Sequence, residues 1–529
     1  MQDLGIISPS LDEFRALAAQ RRVIPVRLKV LADALTPIGI YRSLALQDDG
    51  TAAPGTFLLE SAKVTAEGES AAWDRYSFIG ASSRSTLTTV DGKVHWQGET
   101  PAGAPTEGDP VEAIAKTLHM LHTEPLPGLP PLTSGLVGYL GWDVVRRWEH
   151  LPFPPADDVH LPEFALNMVS DMAIHDNTNG TVLLVANAIN FNGTDENVDA
   201  AYADARARLN RMVERLARGA SDMVSVLSDV SRVDERVRHE VNETWSEQGY
   251  MDAIDKAKKN IVDGDVFQIV PSRRFEVATK ANPLDVYRML RQSNPSPYMY
   301  LFNFVDPAGT PFHIVGSSPE ALVTLKDGKA TTHPIAGSRP RGATREQDIA
   351  LAQELLADRK ELSEHLMLVD LARNDLSRIA KPGTVSVDEF MIIERFSHIM
   401  HISSTVSADL DPQFGAYDVL RAAFPAGTLS GAPKPRALQL IDEYEPTRRG
   451  VYGGVCGYFD FAGDMDMAIA IRTAVLKDGK AYVQAGAGIV MDSVPTSETQ
   501  ETVNKAAAPL RAVLSASGLA PLNSQNATS

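Results

Sequence analysis

Short segments in which apolar and polar residues alternate, separated by turn residues, recur along most of the chain. They are represented early by GTFLLESAKV, RYSFIGASS and TLTTVDGKVHWQG, and later by VFQIVPSRRFEVAT, YMYLFNF and KAYVQAGAGIV. A period of two residues indicates half-buried β-strands. Because helical patterns do not alternate regularly with these segments, the sequence predicts an α+β fold with a large β-sheet core flanked by helices.

Local signals place the turns and helices between these strands. The DGK sequence at residues 91–93 joins two alternating runs and predicts a hairpin. Residues 196–219 form an amphipathic pattern that ends at a glycine, which is typical of a helix. The TWSE sequence that begins at Thr244 resembles a capping box and predicts a helix to about residue 263. Residues 345–376 are strongly helical, and a last helix is expected from about Thr496.

The chain divides most naturally where these patterns weaken. Polarity rises and periodicity fades over residues 220–242. We therefore expect an N-terminal lobe over residues 1–243, a catalytic domain over residues 244–515 and a disordered tail over residues 516–529.

Charge and cysteine content restrict the class of protein. The 529 residues include 68 acidic and 50 basic side chains, for a net charge of -18, which argues against a broad nucleic-acid or membrane surface. An anionic substrate would then need local arginines, backbone N–H groups or a metal ion. With one cysteine, no signal-like N-terminus and no uncharged apolar run near 18 residues, the sequence predicts a soluble cytoplasmic protein.

Two pairs of glutamates are the most informative candidate site. Glu361 and Glu364 are three residues apart in KELSEH, and Glu498 and Glu501 repeat this spacing in TSETQETVNK. Each pair would lie on one face of a helix. Four carboxylates that converge need a cation, and hard oxygen ligands suit Mg2+. The alternative is a pair of solvated helix faces with i,i+4 partners such as His365 and Lys505, which is the commoner explanation for any single pair.

Glycines at the ends of several strands suggest a second feature of the site. The segments are PIAGSRPRG, AGTLSGAPKPRA, YGGVCGYF and QAGAGIV. None matches a nucleotide-binding pattern, and each alone favours a tight turn, but together they suggest one small anionic ligand.

Three further residues have side chains that are often found in functional sites. Arg472, in an apolar run, either points inward to bind a carboxylate or lies on an edge strand. His401 on spacing alone is better explained as a core histidine, and Cys456 as a packing residue.

These segments together resemble the chorismate-utilising enzymes, and most closely the large subunits of anthranilate synthase. The resemblance rests on GDVFQIVPSRR, SNPSPYMYL, GSSPEAL, PIAGSRPRG, DRKELSEHLMLVDLARNDL, MHISSTV, FPAGTLSGAPKPRA and AGAGIVMDSVPTSETQET, in the order of the family. It is dense over residues 244–515 and includes LLESA and GLVGYLGWD in the N-terminal lobe. It implies the chorismate-binding fold and the conversion of chorismate and ammonia to anthranilate and pyruvate with Mg2+, the first committed step of tryptophan biosynthesis.

The resemblance also assigns roles. Glu364 and Glu501 would be direct metal ligands, with Glu361 and Glu498 in support. Glu320 would be the general acid for the leaving 4-hydroxyl as ammonia adds at C2.

The remaining roles concern elimination and substrate binding. His401 would assist the later elimination of pyruvate. The residues implied to contact chorismate are Gly337, Ser338 and Thr428 along the ring, Tyr452 and Arg472 at the enolpyruvyl carboxylate, and the N–H groups of Gly486, Ala487 and Gly488 at the ring carboxylate.

Three positions distinguish this chain from relatives. Gln268 stands where relatives that add water have a lysine base. Ala336 stands where aminodeoxychorismate synthases, with PIKGT, have a lysine that can attack the ring. Ser338 replaces the usual threonine and keeps the hydroxyl.

The chain has no glutaminase triad, so the resemblance implies a separate glutamine amidotransferase subunit that delivers ammonia, commonly within a heterotetramer. It also implies feedback inhibition by tryptophan at a site that includes Ser61, Pro297, Tyr298 and Met299. The alternatives are an aminodeoxychorismate synthase and a catalytically silent amino-acid sensor.

Overall fold

The structure is a computed structural model that describes residues 3–62, 75–219, 224–227, 233–395 and 399–522. Its α-helices are Leu11–Ala18, Pro37–Ala45, Pro110–Leu121, Val198–Arg218, Val233–Glu240, Glu247–Val262, Pro283–Ser293, Arg345–Ala357, Arg359–Ser377, Ala416–Ala423, Gly427–Ser430, Lys434–Tyr444 and Pro495–Ala516, with a 3-10 helix at Trp142–Arg147. Its strands are Ile7–Ser8, Val23–Leu31, Phe57–Glu60, Tyr76–Val90, Lys93–Gly98, Gly135–Leu140, Phe164–Asp176, Thr181–Ile189, Ser225–Leu227, Asn242–Glu243, Gln268–Ile269, Ser272–Ala278, Tyr298–Val305, Pro311–Ser318, Ala321–Lys326, Lys329–Thr332, Ile335–Pro340, Ser386–Arg395, Ile399–Asp409, Gly431–Ala432, Val455–Asp460, Met465–Ile469, Thr473–Lys477, Lys480–Gly486 and Leu519–Pro521.

A single antiparallel sheet of 21 strands organises the described residues. It runs through both predicted lobes, since Val455–Asp460 pairs with Gly135–Leu140, and Tyr298–Val305 pairs with Phe57–Glu60. The predicted α+β class with a large sheet core is therefore confirmed. The boundary between residues 243 and 244 stays a prediction, and it does not divide the sheet.

The hairpin predicted at residues 91–93 is present. Val90 pairs with Lys93, and Asp91 and Gly92 both have positive φ angles, of 50° and 71°. Two successive residues with positive φ form the tight turn whose twist matches that of the strands.

Three local predictions needed correction. The helix expected to start from a capping box at Thr244 begins at Glu247, because the side chain of Ser246 accepts the cap hydrogen bond from the Gly249 N–H. The helical region 345–376 is two helices, because Asp358 ends the first and caps the second. Within the tail expected to be disordered, Leu519–Pro521 pairs with Ser225–Leu227. Residues 523–529 lie outside the described residues.

Two helices carry the paired glutamates, and we call them the first glutamate helix (Arg359–Ser377) and the second glutamate helix (Pro495–Ala516). The first packs against the strands Ile335–Pro340 and Ile399–Asp409, and the second packs against Lys480–Gly486. Both helices are therefore held by the sheet that carries the glycine-bearing segments. No helix of the described residues is both long and apolar enough to cross a membrane.

A buried ion pair joins several of the segments between these helices. The Arg449 guanidinium donates to the Glu445 carboxylate at 2.6 Å and to the backbone carbonyls of Leu429 at 2.8 Å and Val270 at 2.6 Å. Glu445 also accepts hydrogen bonds from the N–H and the hydroxyl of Ser272. The guanidinium stacks over the Trp142 ring at 4.1 Å. The pair therefore connects its own segment to three others, which contain Trp142, Val270 with Ser272, and Leu429.

We expect Arg449→Met to destabilise the protein strongly, because it leaves the Glu445 carboxylate buried without its cation. Loss of one partner of a buried pair costs roughly 3–5 kcal/mol. The control is Arg373→Met, since Arg373 forms an exposed pair with Asp370 that is worth at most about 1 kcal/mol. Urea unfolding measures both variants, and equal midpoints for the two would contradict the structural role of Arg449.

Candidate active site

A cleft of about 570 Å3 lies between the two glutamate helices and the glycine-bearing strands. Of the residues predicted to act in catalysis, substrate binding or metal binding, every one except Ala487 lines this cleft. They are Gln268, Glu320, Gly337, Ser338, Glu361, Glu364, His401, Thr428, Tyr452, Arg472, Gly486, Gly488, Glu498 and Glu501. Segments that lie more than 200 residues apart thus contribute to one site.

The four glutamates face the cleft from two sides. Desolvation by burial, and then the neighbouring Glu364, raise the pKa of Glu361. Burial also raises the pKa of Glu498, with a further contribution from Glu501. The carboxylates within each pair therefore repel each other, as expected for groups that a cation would stabilise.

Each pair has one carboxylate with a nearby hydrogen-bond donor. The Gln268 side-chain amide donates to Glu364 at 2.9 Å. Lys505 forms an ion pair with Glu501 at 2.6 Å and donates to the Gly486 carbonyl at 3.0 Å. In this arrangement no three acidic, histidine or cysteine side chains of the described residues lie close enough together to hold a metal ion.

The two residues named as partners in the solvated-helix alternative, Lys505 and His365, have different surroundings. The predicted pair of Glu501 with Lys505 exists, but it lies in the cleft. His365 is buried and its Nε2 contacts the Ser404 hydroxyl at 2.7 Å. Lys505 is a site residue that the sequence argument did not assign, although its i,i+4 spacing from Glu501 was the available signal.

The oxygen donors of the cleft are of the chemical kind that a hard divalent cation binds. They are four carboxylates on two helices, and burial, with a further contribution from the neighbouring carboxylate, raises the pKa of Glu361 and of Glu498. Oxygen donors of this kind suit Mg2+, which commonly takes one or two carboxylates and completes its shell with water and substrate oxygens.

Glu320 has the properties of a general acid. Removal of its carboxyl from water raises the pKa of Glu320 to about 7, although a hydrogen bond from the Thr428 hydroxyl at 3.3 Å opposes this change. A carboxyl group with such a pKa is substantially protonated near neutral pH and can donate a proton.

Arg472 and Tyr452 lie together on another wall of the cleft. Arg472 has a positive φ of 52°, and its guanidinium donates to the Lys505 carbonyl at 3.0 Å. Burial lowers the pKa of Arg472, while Tyr452 and Glu501 oppose that change. Burial raises the pKa of Tyr452 to about 12, so this residue stays a neutral hydroxyl. Arg472 makes no ion pair within the described residues, which leaves its charge for an anion.

His401 lies in the cleft, where the resemblance placed it. Its Nδ1 lies 2.8 Å from the Gly337 carbonyl oxygen. Burial lowers the pKa of His401, and the Gly337 carbonyl opposes this effect. The contact orients the ring and leaves Nε2 as the second titratable position.

Only part of the QAGAGIV segment lines the cleft. The N–H of Ala487 donates to the Pro271 carbonyl at 3.3 Å, and Ala487 is fully buried and does not line the cleft, so its contact with a ring carboxylate stays a prediction. Gly486 and Gly488 do line the cleft. A Cβ atom at Gly488 would lie 2.9 Å from the Gln268 side-chain nitrogen, so a larger residue here would displace the Gln268 amide from its present position.

The two arginines of PIAGSRPRG do not bind an anion in the cleft. Arg339 pairs with Glu354 and Asp358, and Arg341 pairs with Asp348, so both stabilise the neighbouring helices. The segment is mostly a strand, Ile335–Pro340, and Ala336 faces the cleft with a methyl group.

The two segments predicted to bind tryptophan are neighbours in the sheet. Met299 pairs with Glu60, and the Ala62 N–H donates to the Ser296 carbonyl at 3.0 Å. Ser61 therefore lies beside the segment that contains Pro297, Tyr298 and Met299. Residues 63–74, which follow, lie outside the described residues.

Buried Glu60 anchors this pair of segments. It accepts hydrogen bonds from the Tyr287 hydroxyl and from Arg291 at 2.7 Å.

Comparisons with known proteins identify the family of this chain. Residues 59–511 match the family described as chorismate binding enzyme. The anthranilate synthase component 1 of Arthrobacter globiformis is 62% identical over 519 residues, which cover 98% of this chain and 95% of the relative. The crystal structure of anthranilate synthase component I from Streptococcus pneumoniae has a TM-score of 0.72 at 34% identity and covers 85% of this chain and 94% of its own.

A more distant structure shares the fold. The menaquinone-specific isochorismate synthase of Escherichia coli has a TM-score of 0.67 at 18% identity, covering 95% of this chain and 98% of its own. The family match extends over more than four-fifths of the sequence and the near relatives are aligned almost end to end. The chain belongs to the chorismate-binding enzymes, in the branch formed by anthranilate synthase component 1.

Proposed function

We propose that this enzyme converts chorismate and ammonia to anthranilate and pyruvate in the presence of Mg2+. The observation that carries the proposal is one cleft that combines a carboxyl group with a raised pKa at Glu320, the four glutamates proposed to bind the metal ion and the guanidinium of Arg472, which forms no ion pair within the described residues. At the two positions where related enzymes use a lysine, the cleft has Gln268 and Ala336. Neither side chain can deprotonate water or attack the ring, so an external amine is the nucleophile that fits.

The residues of the cleft then act as follows. Glu364 and Glu501 would bind Mg2+, with Glu361 and Glu498 in support, and the ion would supply positive charge next to the ring carboxylate. Arg472 and Tyr452 bind the enolpyruvyl carboxylate, and Gly337, Ser338 and Thr428 contact the ring.

Glu320 donates its proton to the 4-hydroxyl as ammonia adds at C2, and the C4–O bond breaks with release of water. His401 assists the following elimination of pyruvate, for which its orientation by the Gly337 carbonyl is suitable.

The product distinguishes this proposal from its nearest rival. Purified protein with chorismate, Mg2+ and ammonium salt at alkaline pH should form anthranilate, which is detected by its fluorescence, without an added lyase. Formation of 4-amino-4-deoxychorismate alone would indicate an aminodeoxychorismate synthase. No turnover, together with tryptophan binding, would indicate an amino-acid sensor.

We expect Glu501→Gln to lose activity chiefly through weaker Mg2+-dependent binding of chorismate. The substitution removes one negative charge from the metal site while the side-chain volume stays nearly constant. Chorismate binding should be titrated at several Mg2+ concentrations, with Asp370→Asn on the exposed face of the first glutamate helix as the control. Full turnover of Glu501→Gln at low Mg2+ would refute the ligand assignment.

The raised pKa of Glu320 predicts how the stability of the protein depends on pH, and the proposed role of Glu320 predicts a loss of kcat on its substitution. Its folded-state pKa of about 7 exceeds the ordinary value of 4.5, so the group contributes stability that is complete below pH 4.5 and is lost as the pH rises through 7. Glu320→Gln lacks this loss, so its free energy of unfolding should rise relative to the parent between pH 5 and pH 8. Its kcat should fall by about 10^2–10^4-fold, measured at constant free ammonia. A parallel pH dependence of stability in both proteins would contradict the assignment.

Tryptophan is proposed as a feedback inhibitor that binds at Ser61 and the Pro297, Tyr298 and Met299 segment. The adjacency of the two segments in the sheet supports this proposal. Ser61→Ala should weaken tryptophan inhibition and leave the ammonia-dependent rate largely intact. Ser293→Ala, at the exposed end of the preceding helix, is the control. Unchanged inhibition in Ser61→Ala would exclude this pocket.

We further propose that a glutamine amidotransferase subunit supplies the ammonia in the cytoplasm. The name component 1, borne by the close relatives, supports a second component. The only cysteine, Cys456, is buried within the sheet and is a packing residue, so it offers no glutamine-hydrolysing nucleophile.

A further inference from the structure

A second cavity, of about 60 Å3, adjoins the active-site cleft at Glu320. The two spaces share Glu320, Thr428 and Leu368 as lining residues. Thr332 and Asp375 line only the second cavity. Glu320 therefore borders both the space that would hold chorismate and a smaller adjoining space. We call the smaller space the rear cavity.

Two buried oxygen atoms in the rear cavity lack hydrogen-bond partners. They are Oγ1 of Thr332 and Oδ1 of Asp375, on residues that are 7% and 5% exposed, and neither has a partner within the described residues. Buried polar atoms are nearly always hydrogen-bonded, and water satisfies those that the protein does not. The rear cavity has both the polar atoms and the room for several water molecules.

The rear cavity ends at a buried ion pair. The other carboxylate oxygen of Asp375 accepts a hydrogen bond from Lys434 at 2.7 Å, and Lys434 also donates to the Ala423 carbonyl at 3.2 Å. Burial raises the pKa of Asp375 and lowers the pKa of Lys434, so the two values lie closer together than in water.

We propose that the rear cavity holds a cluster of water molecules, bound by Thr332 and Asp375, through which Glu320 recovers the proton that it gives to the leaving hydroxyl. This inference rests on the proposed function, because the acid must be restored in each turnover. Thr332 and Asp375 are positioning residues, since they act through the water and do not touch chorismate.

The proton transfers balance over one turnover. The proton of the Glu320 carboxyl goes to the C4 oxygen, the C4–O bond breaks, and water leaves. The Glu320 carboxylate then takes a proton from an adjacent water of the rear cavity. That water regains a proton from solvent by way of the cluster and the Asp375–Lys434 pair, and the added ammonia releases one proton to solvent.

The water cluster is tested first by a crystal structure of the full chain at high resolution. We expect ordered water within hydrogen-bond distance of Thr332 Oγ1 and Asp375 Oδ1, and loss of this water in Thr332→Val, which has nearly the same shape. A dry rear cavity in the parent protein would overturn the inference. This readout does not depend on the reaction, so it stands even if no anthranilate forms.

Kinetics test the role of the water. With ammonia as the nucleophile, Thr332→Val should lower kcat by about tenfold, which is less than the loss expected when a general acid is removed. The KM for chorismate should be unchanged, and the solvent deuterium isotope effect on kcat should be larger. Thr332→Ser, which keeps the hydroxyl, should restore kcat and the isotope effect.

Thr331→Val, the adjacent position on the same strand, lies outside the rear cavity and is the control. If the parent forms anthranilate and Thr332→Val retains its full kcat, this inference fails and the proposed function stands. If the parent forms no anthranilate, the proposed function fails instead.

Discussion

The buried pair of Glu445 and Arg449 is the interaction on which the active-site cleft depends most. Arg449 donates hydrogen bonds to the carbonyls of Val270 and Leu429, and Glu445 accepts one from the N–H of Ser272. Each of these three residues lines the cleft or lies within a few residues of one that does. A desolvated charge pair is stable only when its remaining donors and acceptors are also bonded. Because most of those partners are backbone groups, the requirement to satisfy one ion pair also helps to fix the positions of the segment that follows the strand Gln268–Ile269 and of the short helix Gly427–Ser430, which contains Thr428.

The cleft is acidic in an already acidic protein, and its chemistry follows from how that charge is distributed. The raised pKa values of Glu361 and Glu498 reflect desolvation and close carboxylate neighbours, whereas the raised pKa of Glu320 reflects desolvation above all. Desolvated carboxylates with close carboxylate neighbours suit a cation site, whereas a desolvated carboxyl group without such neighbours suits a proton donor. The same residue type can therefore suit two purposes within one cleft, because the neighbours of its carboxyl group differ.

The sequence predicted what local spacing determines and missed what depends on packing. The spacing of the glutamates is such a local signal, whereas the resemblance to the chorismate-utilising enzymes supplied most of the other cleft residues. The break at Asp358 could have been found, since Glu361 follows it by three residues as in a capping box. In contrast, Glu445 and Arg449 resemble an ordinary surface pair in EYEPTRR, and their burial depends on distant segments. The contact of Ala487 with Pro271 likewise depends on the pairing of two strands that are 200 residues apart.

One turn of the second glutamate helix connects the two ends of the proposed substrate site. Lys505 holds Glu501 and the Gly486 carbonyl with its ammonium group, while its own backbone carbonyl accepts a hydrogen bond from Arg472. Two of these contacts pass through the side chain of Lys505, and the third is made by its backbone. The helical turn that carries Glu501 is thereby connected to both Gly486 and Arg472, so a shift of this turn relative to the sheet would change the spacing of all three groups.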